Sequence, residues 1–425
     1  MRSPAMDNSA NRRILPSMKN TSDILIIGGG LNGPALALAL AQTGHSVTVV
    51  DALPRGGFEE EGFDGRGYAL ALASQRLLDQ IGIWPMVADQ AQPMLEIKAS
   101  DGHAGEGAAP FFVHFDHREI EDGPMGYMLE DRYLRRALLT AMEAAPRITL
   151  INEARVVAQE PDQTGVTLTL DSGDTLRGGI LVGADGRKSG TAARAGIKRT
   201  GWDYGQTALV CAIEHEKPHQ GIAHQFFMEP GPLAILPLPG NRSSIVWSEK
   251  TEMAEAIHGL GDDDYMAALK PRFGNFLGEI SLAGKRFTYP LNLTIANRFT
   301  AARMALIGDA AHGMHPIAGQ GLNAGLRDVG ALAEVLTEAK RRGEDAGSSL
   351  VLDRYQQWRR FDTATLVAGT DMVNKLFSND NPLLRLGRDL GMGLVNSLPG
   401  LRRGFMREAA GLTGDLPRLL KGEAI

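Results

Sequence analysis

Residues 23–51, DILIIGGGLNGPALALALAQTGHSVTVVD, restrict the fold of this chain more than any other segment. Residues 24–27 are a short apolar run that suits a strand buried on both faces. Gly28, Gly30 and Gly33 then fill the three positions of G-x-G-x-x-G. The first glycine permits a tight turn, the second lets backbone approach a pyrophosphate, and the third lets helix pack on strand. Pro34 falls in the first helical turn, where its missing N–H does no harm, and Gly44 marks the helix end. Val47–Val50 makes a second strand, and Asp51 follows it, 21 residues after Gly30. A carboxylate there is placed to accept hydrogen bonds from a ribose hydroxyl. The segment therefore predicts one β-α-β unit that binds a dinucleotide, without distinguishing a flavin from a nicotinamide. Residues 24–50 carry no Lys, Arg, Asp or Glu and superficially suggest a membrane span. Three glycines near the start and the break at Gln42, Thr43, Gly44 and His45 argue instead for strand, turn, helix, turn and strand.

Two later segments repeat the pattern of a strand running into a small acidic loop. GILVGADGRKSGTAARAGI, residues 179–197, delivers an apolar strand to Gly183, Asp185 and Gly186. MALIGDAAHGMHPIAGQGLNAGLRDVGALAEVL, residues 304–336, delivers another to Gly308 and Asp309. Pro316 and Gly319-Gln320-Gly321 then lead into a helix, where Leu322, Leu326, Val329, Leu332 and Leu336 recur at helical spacing. An acid delivered beside the first glycine loop can hold a ribityl hydroxyl. The free N–H groups of a helix N-terminus can stabilise negative charge on a reduced flavin ring.

GADG and IGDAAH, together with the N-terminal glycines, resemble the three fingerprints of the flavoprotein aromatic hydroxylases typified by para-hydroxybenzoate hydroxylase. HPIAGQGLNAGLRD, residues 315–328, resembles more narrowly the signature of the ubiquinone-biosynthesis flavin hydroxylases. DGRGYALALASQRLLDQIGIW, HQFFMEPGPLAILPLPGNRSSIVWS and TDMVNKLFSNDNPLLRLGRDLGMGL agree with it, so the likeness covers about residues 22–412. One departure stands out. The family's Asp-Gly motif usually has an arginine three residues after its serine; Ala192 holds that position and Arg194 lies two further on.

The resemblance implies an α/β fold: a Rossmann-type FAD-binding domain like that of para-hydroxybenzoate hydroxylase, an interleaved antiparallel-sheet substrate domain and a helical C-terminus. The expected pieces are 22–90, 127–200 and 289–370 for FAD, 91–126 and 201–288 for substrate, and 371–425 for the helices. Residues 1–21 are expected to be a disordered extension before a start-like Met18, a transit peptide being the alternative. The implied reaction consumes O2 and NADH or NADPH, and reduced FAD delivers one oxygen atom to an electron-rich ring, here a polyprenylated phenol or benzoquinol of ubiquinone biosynthesis. A soluble aromatic substrate, or a flavin-bound scaffold without turnover, are the other readings. The cofactor carries this chemistry and the protein positions the ring and excludes water. FAD is expected to be held by Gly28, Gly30, Gly33, Asp51, Asp185, Gly186, Gly308, Asp309, Gly319, Gln320, Gly321, Leu322 and Asn323. Arg66 and Arg132 match family positions near the cofactor, where a guanidinium fork suits pyrophosphate. His315 and Pro316 are the catalytic candidates, with His315 as an acid/base group. The other reading makes His312 and His315 loop histidines hydrogen-bonded near the flavin.

Composition narrows the alternatives. The single cysteine, Cys211, excludes intramolecular disulfides, an all-cysteine iron–sulfur cluster and a multi-cysteine zinc site. It sits in TALVCAI and is expected to be a buried strand residue. His312 and His315 lack the spacing and nearby acid of a metal site, so none is expected. A net charge of −6 gives no electrostatic reason to expect nucleic acid. The runs TALVCAI, AHQFFME, LAILPLP and SSIVWSE read as antiparallel strands over one side of the flavin. Phe226, Phe227, Leu233, Ile235, Leu236 and Trp247 either line an apolar substrate pocket or form core. Residues 383–407 combine Leu383, Leu384, Leu390, Leu394, Val395, Leu401, Phe405 and Met406 with Arg385, Arg388, Arg402, Arg403 and Arg407 against Asp389, a balance of +4. That suits a membrane surface or an acidic partner such as a biosynthetic complex. Packing on the FAD domain and self-association into a homo-oligomer are the alternatives. The expected location is cytoplasmic, at the periphery of the inner membrane, or mitochondrial in a eukaryote.

Overall fold

The computed structural model describes residues 21–54, 65–103, 107–120, 122–229, 231–313, 320–377 and 397–425; for 101–103, 107–112 and 364–377 the description is limited to backbone. The apolar runs of the sequence assemble one parallel sheet. Its strands lie in the order Met304–Leu306, Thr175–Gly183, Thr21–Ile27, Val47–Val50 and Ile148–Ile151. Thr300–Ala301 pairs antiparallel at one edge, and Val166–Leu170 with Val156–Pro161 extends Thr175–Gly183 as an antiparallel flap. The uncharged stretch is strand, helix and strand: Asn32–Gln42 joins the two strands and packs on the long helix Gln320–Arg341. Ile24, Leu25, Ile26, Leu36, Leu40 and Val49 lose all contact with solvent, each contributing roughly 1.5–3 kcal/mol by the apolar surface it removes from water. No helix among the described residues is long and apolar enough to cross a membrane.

Register places the loops. Ile27 pairs with both Val50 and Gly183, and Gly183 pairs with Leu306. Four parallel strands thus leave the sheet at one edge, into Gly28, Asp51, Ala184 and Ile307-Gly308. The connections run to opposite sides of Thr21–Ile27, which makes this edge the switch point where open α/β sheets bind ligands.

A nine-stranded sheet stands over it, in the order His312–Gly313, Phe287–Ala296, Arg199–His215, Arg242–Lys250, Leu233–Leu238, Ile222–Phe227, Glu96–His103 and Gly107–Asp116, with Ile280–Leu282 paired beside Arg199–His215. All the pairings are antiparallel except Ile222–Phe227 on Glu96–His103. Side chains alternate between its faces. Leu209, Cys211, Ile213, Phe226, Leu233, Ile235 and Trp247 form an outer core with the helices Thr251–His258 and Asp262–Phe273. Ala212, Ala223 and Leu238 pack on the other face against Met94 and Met128 of a three-stranded sheet. Cys211 is therefore the buried strand residue expected. Burial pushes its thiol up to about 11, while the Tyr265 hydroxyl lies 3.7 Å away.

The tail corrects the emphasis placed on its charge. Residues 378–396 lie outside the described residues, and with them Leu383, Leu384, Arg385, Arg388, Leu390, Leu394 and Val395. In the helix Pro399–Ala409, Met406 is fully buried against Leu72, Ile120 and Met125. Arg402 pairs with Glu119 at 2.9 Å and Arg407 with Asp122 at 2.9 Å. These two arginines fasten the helix to the rest of the chain.

Candidate flavin site

The glycine loop is built by close approach at two glycines and by open space at a third. A β-carbon on Gly28, whose φ is +115°, would collide with the Ala184 carbonyl, and one on Gly33 with the carbonyl of Gly28. At Gly30 a β-carbon would meet nothing within 4 Å among the described residues. Gly186 and Gly321 open on empty space in the same way. Asp51 stands at the end of its strand, where its Oδ2 accepts from the Gly29 amide and its Oδ1 from the Leu53 amide at 2.7 Å. Asn32, the first residue of the helix after the loop, lies so close to Gly308 and Gly325 that neither tolerates a side chain. Its buried Oδ1 has no hydrogen-bond partner among the described residues. The first and third motifs therefore meet around a backbone cradle with an unused acceptor, which fits a dinucleotide.

Asp309 follows Gly308 and is partly exposed, its carboxylate 3.1 Å from Arg187 Nε. Arg187 also donates to Asn292 Oδ1 at 3.2 Å, and Arg199 Nη2 donates to the Asp309 carbonyl at 2.8 Å. These two arginines, which the motif reading did not single out, join the second motif to the third and to the large sheet. Asp185 is engaged locally. It accepts from the Ser189 hydroxyl at 2.5 Å and from the Thr191 amide and hydroxyl at 2.9 Å each, fixing the start of the short helix Gly190–Arg194. Ala192 is fully buried in that helix, so an arginine there would have no room. Arg194 instead donates to Gln159 Oε1 at 3.1 Å.

Beneath the third motif lies a buried charged network. His312 Nε2 is 2.6 Å from Asp328 Oδ2, which also accepts from the Gly308 amide at 2.8 Å. Asp328 Oδ1 accepts from Arg359 Nε at 2.7 Å, Arg359 bonds Asp362, and Asp362 pairs with Arg327 at 3.1 Å. His312 and Asp328 are fully buried. Burial alone would raise the Asp328 carboxyl, but His312 and Arg359 outweigh it and hold it below the usual carboxylate range. His312 is thus a buried histidine at the start of the edge strand His312–Gly313, hydrogen-bonded to Asp328. Asp328 and Arg359 were missed. Asp328 stands inside the quoted motif HPIAGQGLNAGLRD, while nothing local marks Arg359. His315, Pro316 and Gly319 lie outside the described residues.

Arg66 and Arg132 converge on adjacent acids. Arg66 is 3.4 Å from Asp131, and Arg132 is 2.8 Å from Glu130 with its guanidinium over the Tyr133 ring. The helix Gln320–Arg341 opens with Gln320, Gly321 and Leu322, the last packed partly against the main core. The Asn323 carboxamide is buried; it accepts from the Ala71 amide at 2.9 Å and Ser74 Oγ at 2.7 Å, and donates to the Ala69 carbonyl at 2.8 Å. Its side chain thereby anchors the first helical turn to the segment that follows Arg66.

Between the layers, the alternation of the large sheet decides which apolar residues face inward. Phe226, Leu233, Ile235 and Trp247 belong to the outer core, so for them the core reading holds. The half-buried Leu236 faces the inner layer. Tyr204, Val246 and Phe287 form another half-buried inner group around Leu291 and Val210. Phe287 sits where a side chain on Gly65, beside Arg66, would have to go.

Comparison with known proteins agrees with this geometry. Residues 21–370 match the model of the FAD binding domain family. A ubiquinone hydroxylase, UbiL, of Rhodospirillum rubrum is 46% identical over 97% of this chain and 96% of its own length. The 3-demethoxyubiquinol 3-hydroxylase of Escherichia coli is 34% identical over 92% of this chain and 99% of its own. Among solved structures, p-nitrophenol 4-monooxygenase PnpA from Pseudomonas putida superposes with a TM-score of 0.76 at 19% identity, over 93% of this chain and 99% of that one. That last likeness is one of fold.

Proposed function

Because this chain belongs to the FAD binding domain family of flavin-dependent monooxygenases, we propose that it hydroxylates the ring of a polyprenylated phenol or benzoquinol in ubiquinone biosynthesis, drawing electrons from NADH or NADPH. The observation that carries this reading is the 46% identity, over nearly all of both chains, to a protein named ubiquinone hydroxylase. The reading also assigns roles along the cradle. Gly28, Gly30 and Gly33 would turn backbone amides under the pyrophosphate, with Arg66 and Arg132 as the nearest guanidinium donors. Asp51 would accept from the adenosine ribose and Asp309 from the ribityl chain. Asp185 and Gly186 would shape the second loop, and Gly308 would let the third pass over Asn32. Amides at Gln320, Gly321, Leu322 and Asn323 would face the ring system, where a helix N-terminus favours negative charge, and Gly319 belongs to the same proposed cofactor set. When bound, FAD supplies the oxygen-activating chemistry. His315 and Pro316 remain the proposed catalytic residues, His315 as an acid/base group.

The domain division proposed is an FAD domain from 22–90, 127–200 and 289–370, a substrate domain from 91–126 and 201–288, and helices from 371. Tyr204, Leu236, Val246 and Phe287 are the proposed apolar wall for the ring. A polyprenyl tail makes the substrate nearly insoluble in water, so peripheral contact with a membrane or a lipid-bearing complex is part of the proposal. Two measurements test it. Acid or heat release from the purified protein should yield FAD, and a colourless protein that FAD cannot reconstitute would overturn the reading. With 18O2 and NADH or NADPH, the label should enter a prenylated quinone precursor; incorporation into soluble phenols alone would replace the substrate assignment and leave the flavin assignment standing.

A further inference from the structure

On the outer face of the nine-stranded sheet, away from the strand ends that carry the flavin motifs, lies a cavity of about 760 Å3. It opens between the paired strands Glu96–His103 and Ile222–Phe227, the loop at 217–221 and the chain following Asp262–Phe273. Small-molecule sites typically measure about 300–1,000 Å3, so this one is large enough for an organic ligand. The outer core around Cys211 and Trp247 adjoins it, and no residue assigned to the flavin lines it.

Its lining has two characters. One part is aromatic: Phe276 stacks on Phe273 at 5.2 Å, meets Phe226 edge-on at 6.2 Å and lies 4.6 Å from the His224 ring. Burial, followed by the nearby Lys98, pushes His224 down to about 4, so near neutral pH its ring joins the apolar wall uncharged. The other part is polar. Lys98 and Ser100 stand two apart on one strand and so share this face, and Lys217 lines the cavity from the loop. Ser100 is only 3% exposed, yet its hydroxyl has no hydrogen-bond partner among the described residues. Buried hydroxyls are normally satisfied. Glu96 offsets Lys98 in part, at 3.4 Å, while also meeting His114 at 2.8 Å. Lys217, exposed at the rim, makes no ion pair among the described residues.

We propose that this cavity binds an amphipathic anion, its carboxylate or phosphate head on Lys98, Ser100 and Lys217 and its hydrocarbon body on the rings of Phe226, Phe273, Phe276 and His224. An uncharged lipid would leave the Lys217 ammonium and the Ser100 hydroxyl unmatched and Lys98 only partly offset by Glu96. A small inorganic anion would leave the aromatic wall bare. The site is independent of the hydroxylase reading, since no flavin-motif residue takes part.

The test uses the full-length, FAD-loaded protein in equilibrium dialysis with dodecanoate as the carboxylate probe and farnesyl monophosphate as the phosphate probe. Dodecanol and farnesol are the uncharged controls. Saturable binding of one equivalent of either acid is expected, with its alcohol weaker by roughly tenfold or more, as loss of charge-assisted hydrogen bonds implies. The double variant Lys98→Gln, Lys217→Gln should weaken the acid by a similar factor, and Phe276→Ala should weaken acid and alcohol alike. FAD content should stay unchanged in the lysine variant. Which acid binds decides the head group. The proposal is overturned if neither acid saturates below about 1 mM, if acid and alcohol bind equally, or if the lysine variant binds as the wild type does. FAD content and 18O incorporation report separately on the flavin site.

Discussion

A β-carbon added at Gly28 and one added at Gly30 would meet different surroundings, and the difference separates fold from cofactor. At Gly28 it strikes the Ala184 carbonyl in a left-handed backbone region, so Gly28→Ala should cost several kcal/mol or abolish folding. At Gly30 it enters open space. Gly30→Ala should therefore leave the melting of the apoprotein within about 1 kcal/mol of wild type, yet weaken FAD by roughly tenfold or more if the pyrophosphate occupies that space. Flavin-fluorescence titration and apoprotein melts decide it; unchanged FAD affinity would place the cofactor elsewhere. Asp309 gives a second probe. Its pair with Arg187 is well exposed and adds little to stability. Asp309→Ala should thus fold normally while losing a charge-assisted bond of roughly 1.5–3 kcal/mol, roughly a 10- to 150-fold loss of FAD affinity. Asp328 is the opposite case. It lies buried between His312 and Arg359, so Asp328→Ala strands two buried partners and should cost about 3–5 kcal/mol of stability, read by denaturant unfolding.

At the scale of elements, what was legible in the sequence followed from local pattern. The glycine spacing, the apolar runs of 24–27 and Val47–Val50, and the four middle strands all declare themselves by period and by turn residues, and the structure forms them where expected. The side on which a strand's residues fall was not legible, because TALVCAI is apolar on both faces. Only the pairing of Leu209 with Trp247 and of Val210 with Val246 assigns them. Ion pairing across the chain was equally hidden. Arg402 and Arg407 contribute to a local charge of +4, but their partners Glu119 and Asp122 lie about 285 positions earlier. Leu398, Leu401 and Phe405, by contrast, recur at helical spacing and remain well exposed. The membrane proposal accordingly moves from those two arginines to this stripe. Leu401→Ser with Phe405→Ser should reduce sedimentation with anionic liposomes while shifting Tm by little. Arg402→Gln should lower Tm through the lost pair. If the serine variant sediments as the wild type does, the stripe is not a membrane contact.

Over the whole molecule, buried histidines held below their usual value set how the fold responds to mild acid: His45 and His224 most strongly, with His215, lowered by burial, beside them. Burial pushes His45 down to about 4, helped by Lys340 and opposed by Asp23 at 3.9 Å; His224 reaches about 4 for the reasons given above. An unfolded histidine takes up a proton near pH 6.5. Between about pH 6.5 and 4 the unfolded chain therefore binds more protons than the native one, and stability must fall as pH falls through that window. Each site contributes at most about 3 kcal/mol, at 1.36 kcal/mol per pKa unit. Asp328 acts lower on the scale. Its carboxyl is held below the usual carboxylate range, so its stabilisation is complete above about pH 4 and is lost only in stronger acid as pH falls toward its native value. The two effects thus occupy separate windows. His45 lies beside the β-α-β unit and His224 on the outer face of the other sheet, so replacing them should be nearly additive. Urea unfolding of wild type at pH 7.5, 5.5 and 4.5 should show a progressive loss of stability. His45→Gln should flatten that loss, and His45→Gln with His224→Phe should remove most of it, leaving the share of His215 and the steeper loss below pH 4 in place. A double variant with the wild-type slope between pH 6.5 and 4 would show that other groups carry the mild-acid response.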